Sequence, residues 1–95
     1  MKSFELGQVV ATPAALELLN QHGLNALQLV RLHVTGEYGD LCAEDKQRNK
    51  DAIEDGGRIF SSYKMSDGTK IYVITEAEDD DGRRQSTCVL LASEY

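Results

Sequence analysis

Arg58-Ile59-Phe60-Ser61-Ser62-Tyr63-Lys64-Met65-Ser66-Asp67-Gly68-Thr69-Lys70-Ile71-Tyr72-Val73-Ile74-Thr75-Glu76 reads as a β-hairpin. Each arm is a mixed or alternating apolar run with β-branched and aromatic residues, the composition of a half-buried strand. Asp67-Gly68 between the arms can supply the positive φ angles of a two-residue type I′ turn. That turn predicts a register in which Met65 faces Lys70, Tyr63 faces Tyr72 and Ser61 faces Ile74. Phe60, Ile71, Val73 and Thr75 then share the other face. Downstream, residues 78–85 form a charged loop. Ser86-Thr87-Cys88-Val89-Leu90-Leu91 follows as a third strand, expected beside residues 70–76.

Upstream of the hairpin the pattern turns helical. Residues 8–11 read as a short strand or extended arm. Thr12 then stands as an N-cap and Pro13 at the first helical position, where a missing N–H costs nothing. Residues 14–22 are rich in Ala and Leu, and Gly23 fits the left-handed residue that ends a helix. Ala15, Leu16, Leu19 and Leu18 supply its apolar stripe. For residues 25–35 two readings stand. Asn25 can cap a second helix through Leu27, Leu29, Val30 and Leu32 toward His33. Alternatively Leu27, Leu29 and Arg31 alternate as in a strand. Gly36-Glu37-Tyr38-Gly39-Asp40-Leu41 is a loop, and residues 44–55 form a polar surface helix stopped by Gly56-Gly57. The expected fold is α+β: an N-terminal short strand and two to three helices, then a three-stranded antiparallel meander. It is expected to be a single two-layer domain over residues 1–95.

The 95 residues carry sixteen acids against ten bases, a formal charge of −6. That balance argues against a nucleic-acid binder tracking phosphates with a basic face, and against docking on an anionic membrane. No apolar run approaches the roughly 18 residues of a membrane span. Met1-Lys2-Ser3-Phe4-Glu5 lacks the apolar region of a signal peptide, so a cytoplasmic location is expected. Cys42 and Cys88 form no CxxC pair and have no His at zinc-finger spacing, which reads as two reduced, small apolar residues. No metal-ligand set and no cofactor motif stands out. Asp79-Asp80-Asp81-Gly82 resembles half a calcium loop, but the twelfth position holds Leu90 where a bidentate Glu is needed.

Two constellations could carry chemistry. His33, Glu37 and Tyr38 lie within six residues of one another and could form an acid–base set. Thr75, Glu76, Arg83, Ser86 and Thr87 gather at the ends of two strands. There hydroxyls and an arginine could hold a phosphate or a carboxylate. The plain alternatives are a core or capping histidine, and cross-strand hydroxyl pairing beside an exposed arginine. His22, at a helix end, is expected to meet free carbonyls.

Several segments are similar to a family of small proteins carried by plasmids, phages and other integrated mobile elements. They are His33-Val34-Thr35-Gly36, Glu37-Tyr38-Gly39-Asp40-Leu41, Arg58-Ile59-Phe60-Ser61-Ser62-Tyr63, Ile74-Thr75-Glu76-Ala77 and Leu90-Leu91-Ala92-Ser93-Glu94-Tyr95. These are often called plasmid-related proteins, and some are labelled type I restriction accessory proteins. The chain departs from the family pattern twice. Gly36-Glu37-Tyr38-Gly39 stands where the family has Gly-Asp-Trp-Gly. Residues 77–87 hold an insertion that leaves open whether Arg83 or Arg84 is the family's arginine. The resemblance implies a mobile-element setting and brings no activity with it.

The leading expectation is therefore a protein-binding module whose partner is a host or element-encoded protein. Its surface would be Gly36, Glu37, Tyr38, Gly39 and Asp40, with His33 just before them. Tyr38, an apolar ring with a polar tip, would be the anchor. The first alternative is a metal-independent ribonuclease or phosphoryl-type hydrolase using His33, Glu37, Arg58, Thr75 and Arg83. The second is an acidic DNA mimic that inhibits a restriction or defence nuclease. Interspersed bases weaken that mimicry.

Overall fold

In a computed structural model, which describes residues 4–95, the hairpin forms with a register one residue away from the expected one. Met1, Lys2 and Ser3 of the stretch read for a signal peptide lie outside the described residues. Strands β2 (Ile59–Lys64) and β3 (Lys70–Thr75) are antiparallel, with Tyr63 opposite Ile71 and Ser61 opposite Val73. The cause is the turn. Met65 N–H donates to the Thr69 carbonyl (2.8 Å) and Gly68 N–H to the Met65 carbonyl (2.9 Å), which leaves a three-residue loop. Only Gly68 takes a positive φ (89°). The Asp67 carboxylate accepts from Thr69 N–H at 2.9 Å, holding the negative-φ turn that precedes it. A slip of one residue exchanges faces. Ile59, Ser61 and Tyr63 therefore join Ile71, Val73 and Thr75, and Phe60 moves to the opposite face beside Ser62, Tyr72 and Ile74.

β4 (Ser86–Leu91) pairs antiparallel with β3, as expected. The expected three-stranded meander is nonetheless incomplete. β1 (Gln8–Ala11) lies parallel to β4, Gln8 level with Ser86 and Ala11 with Val89. The sheet is thus four-stranded and mixed, in the order β1-β4-β3-β2. The arm reaches β4 closely at Gly7, where φ is 64° and a Cβ would overlap the Arg84 carbonyl oxygen.

Three helices separate β1 from β2: α1 (Pro13–Gln21), α2 (Ala26–Val34) and α3 (Ala43–Asp55). Thr12 caps α1 by accepting from Ala15 N–H (3.2 Å), and its own hydroxyl donates to the Glu94 carboxylate (2.7 Å). Thr12→Ala is expected to cost about 1 kcal/mol, read as a shift of the urea midpoint. Residues 25–35 resolve to a helix because Asn25 and Gln28 form a reciprocal capping box. The His22 ring meets the hairpin turn, with Nδ1 3.3 Å from Ser66 Oγ and Nε2 3.6 Å from the Asp67 carboxylate, instead of capping α1's carbonyls. α3 lies along the outer edge of β2. Asn49 spans the Phe60 backbone there, donating to its carbonyl (2.6 Å) and accepting from its N–H (2.9 Å).

Both apolar clusters draw on one face of the sheet. Ala15, Leu19, Leu29 and Val30 pack with Tyr63, Ile71, Val73 and Val89, while Ala52 and Tyr38 pack with Ile59. Phe60, Tyr72, Ile74, Cys88 and Leu90, which point the other way, belong to neither cluster. No helix of the described residues is long and apolar enough to cross a membrane.

Candidate functional site

α2 carries its last turn over the sheet, and the buried stripe of Leu29, Val30 and His33 sets the histidine ring among sheet hydroxyls. Its Nδ1 lies 2.5 Å from Ser61 Oγ and its Nε2 2.9 Å from Thr75 Oγ1. Thr75 Oγ1 lies 2.7 Å from Thr87 Oγ1, whose hydroxyl donates to the Leu6 carbonyl at 2.7 Å. That last bond fixes the direction of all the others. Thr87 spends its proton on Leu6 and so accepts from Thr75. Thr75 then accepts from His33 Nε2–H, and Nδ1 accepts from the Ser61 hydroxyl. The chain is complete with a neutral imidazole and leaves no donor idle. Phe4 packs edge-on to the ring at 5.2 Å and Tyr38 at 6.3 Å. His33 is 0% exposed, and burial lowers its pKa from 6.5 to about 4.

Of the five catalytic candidates, only His33 and Thr75 come together, and they do so in the interior. Glu37 is exposed and contributes its backbone carbonyl, which accepts from the Tyr63 hydroxyl at 2.6 Å. Arg58 is exposed at the far face, its guanidinium 5.7 Å from the Tyr95 ring centre. Arg83 is exposed in the loop before β4, where its N–H donates to the Asp79 carboxylate at 3.0 Å. The His33 imidazole, the base of that set, is closed off from any substrate. Thr75 and Thr87 follow the plain alternative of cross-strand hydroxyl pairing.

Within the 36–40 loop, the Tyr38 side chain is turned inward. Tyr38 is buried with Ala52 and Ile59, so its ring is no exposed anchor. Its carbonyl accepts from Ser62 N–H (3.1 Å), and Asp40 N–H donates back to the Ser62 carbonyl (2.6 Å). Gly39 makes this possible, since φ is 78° and a Cβ would overlap the Ser62 carbonyl oxygen. The loop and Asn49 together occupy the outward backbone groups of Phe60 and Ser62, closing this edge of the sheet. Gly36, Glu37 and Asp40 are left at the surface.

Of Arg83 and Arg84, between which the sequence left the choice open, it is Arg84, absent from the candidate set, that is buried. It is 4% exposed. Its Nη1 donates to the carbonyls of Gly57 (2.5 Å) and Glu76 (3.0 Å), and its Nη2 to the Ala52 carbonyl (3.0 Å). It ties the last turn of α3 to the start of β2 and the end of β3. A hollow of about 260 Å³ opens beside it, lined also by Phe4, Glu5, Ile53, Glu54, Glu78 and Gly82. The Asp79 carboxylate, which heads the calcium-like run, accepts from the N–H groups of Asp81 and Arg83 within its own turn.

The remaining candidate is the second face of the sheet. Phe60 and Tyr72 meet edge to face at 4.7 Å, and Tyr72 and Tyr95 at 5.8 Å. Tyr95 is 65% exposed and Val10 40%. Phe60, Tyr72, Cys88 and Leu90 are half-buried. Burial raises the pKa of the Cys88 thiol, and the nearby Glu94 and Glu76 carboxylates raise it further, so it stays a thiol. Cations stand at both ends of the face. Arg58 precedes β2, and Lys64 and Lys70 lie directly opposite each other at the hairpin end. None of these three takes part in an ion pair among the described residues. No protein-family model matches the chain, and no curated protein or solved structure is significantly similar to it.

Proposed function

We propose that the protein is a binding module that docks another protein, encoded by the host or by the same mobile element, on this open sheet face. The observation that carries the reading is the aromatic string Phe60–Tyr72–Tyr95, which lies outside both core clusters while the opposite faces of β2, β3 and β4 pack against the helices. A half-covered apolar patch rimmed by charge is the usual mark of an interaction surface. Large aromatic rings beside an arginine are the side chains that dominate binding energy. The docking surface is thereby moved from the 36–40 loop to the sheet.

A photo-crosslinking amino acid placed at Tyr72 and, as a control, at the exposed helical position Leu27 tests the reading in the producing cell. One discrete adduct is expected from position 72 and none from position 27. Equal labelling from both, or none from 72, overturns it.

A further inference from the structure

Beyond docking, the geometry points to a second, chemical site where the end of α1 meets the hairpin turn: Ser66 as nucleophile, His22 as its base and Asp67 behind the base, acting on a small acyl ester. Ser66 Oγ lies 3.3 Å from His22 Nδ1, and the Asp67 carboxylate lies 3.6 Å from Nε2. His22 and Ser66 are 44 positions apart in the chain, so the fold alone brings them together. The order is that of a nucleophile, base and orienting carboxylate, with the two ring nitrogens in exchanged roles.

Each member is held from behind. The backbone N–H of His22 bonds to the carbonyls of Leu18 and Leu19, which fixes the root of the ring on α1. Asp67 Oδ1 accepts from Thr69 N–H at 2.9 Å, which leaves Oδ2 facing Nε2. That carboxylate favours the tautomer with its proton on Nε2, and the Nδ1 lone pair is then free for the Ser66 hydroxyl. Ser66 and Asp67 are exposed and His22 is half-buried, so this base, unlike His33, can be reached from solvent. The turn also offers two backbone donors. The N–H groups of Gly68 and Thr69 are spent on the Met65 carbonyl and the Asp67 carboxylate. Those of Ser66 and Asp67 have no partner among the described residues. The N–H groups of a nucleophile and of the residue after it are common donors to a developing oxyanion.

Ser66 Oγ attacks the ester carbonyl carbon and its proton passes to Nδ1, while the carbonyl π pair moves onto the oxygen. Asp67 Oδ2 then faces an imidazolium, and the contact tightens. Collapse re-forms the carbonyl and breaks the bond to the alcohol oxygen, which leaves with the proton from Nδ1. Water attacks acyl-Ser66 by the same route. Nδ1 takes its proton, Ser66 Oγ leaves and takes that proton back, and a carboxylic acid is released.

The test treats the whole protein with p-nitrophenyl acetate and, separately, with a biotinylated fluorophosphonate, and locates the adducts by peptide mass spectrometry. Both are expected on Ser66. Ser66→Ala should lower p-nitrophenolate release at least about tenfold, and His22→Gln should lower fluorophosphonate labelling of Ser66 by a similar factor. Asp67→Asn keeps an acceptor for Thr69 N–H and should slow the labelling less. Circular dichroism checks that the variants keep the fold. Adducts confined to Lys64, Lys70 or His22 overturn the inference. So does a Ser66→Ala rate equal to wild type, or Ser66 labelling that His22→Gln leaves unchanged. The contact would then be a latch between α1 and the hairpin and nothing more.

Discussion

Acidification through the interval from pH 6.5 to about pH 4 is expected to remove on the order of 3 kcal/mol of folding stability. The cause is His33. Its hydrogen-bond chain is satisfied with a neutral ring, and burial holds the folded-state pKa near 4. In the unfolded chain the ring titrates near the ordinary 6.5. Above that pH both states are neutral and the full stability is present. Between the two values only the unfolded state binds the proton, so stability falls as pH falls. Below pH 4 both states are protonated and the loss stops growing. A small domain commonly has only about 5–15 kcal/mol in total, so the loss is a large share.

Urea unfolding at half-unit pH steps measures it, with His33→Gln as the control expected to flatten the slope in this window. The Asp67, Asp79 and Glu94 carboxyls are held below their usual range chiefly by backbone N–H groups of Thr69, Arg83 and Leu91, and they act in the carboxylate range and below. A wild-type slope as flat as the variant's would show that His33 is not the buried neutral ring described.

Arg84→Met is expected to cost about 3 kcal/mol. Hydrogen bonds from a charged donor contribute roughly 1.5–3 kcal/mol each, and Arg84 makes three of them to carbonyls. The sum is reduced because Met removes the cost of burying a guanidinium and keeps an apolar stem. Arg84→Lys should recover only part of the loss, since a single ammonium cannot fork to carbonyls on three segments. The urea midpoint reads the cost, and hydrogen exchange at the end of α3 should rise along with it. A midpoint within about 0.5 kcal/mol of wild type would mean that the carbonyls find other donors.

Two of the helices were readable because their ends are local chemistry: Thr12-Pro13 and Gly56 act within one turn of themselves. Residues 25–35 stayed open between helix and strand, and the Asn25–Gln28 capping box that decides for the helix went unread. The α+β class followed from them and from the β-branched runs. The hairpin register was misread at a single residue. Asp67-Gly68 fits either a two- or a three-residue loop, and the choice was made by the Asp67 carboxylate on Thr69 N–H. The parallel partner of residues 8–11 left no local mark, because parallel pairing depends on a strand at the other end of the chain.

His33 and Thr75 were picked out for their chemistry, yet nothing in the sequence placed Ser61 beside them. The buried partners had one visible trace. Asn49, Ala52 and Ile53 stand at helical spacing in an otherwise polar helix, which marks Asn49 as facing inward. Arg84 had none, since Arg83 beside it is the same residue type with the opposite fate.

β4 is an interior strand whose two neighbours come from opposite ends of the sequence. On the ribosome, β1 and all three helices emerge long before it, with no sheet to lie on. Until β4 is released, β1 has nothing to pair with and β2–β3 is a lone hairpin, a unit that is marginal in water. Loop closure over a long stretch of chain must therefore precede the β1–β4 contacts that reward it.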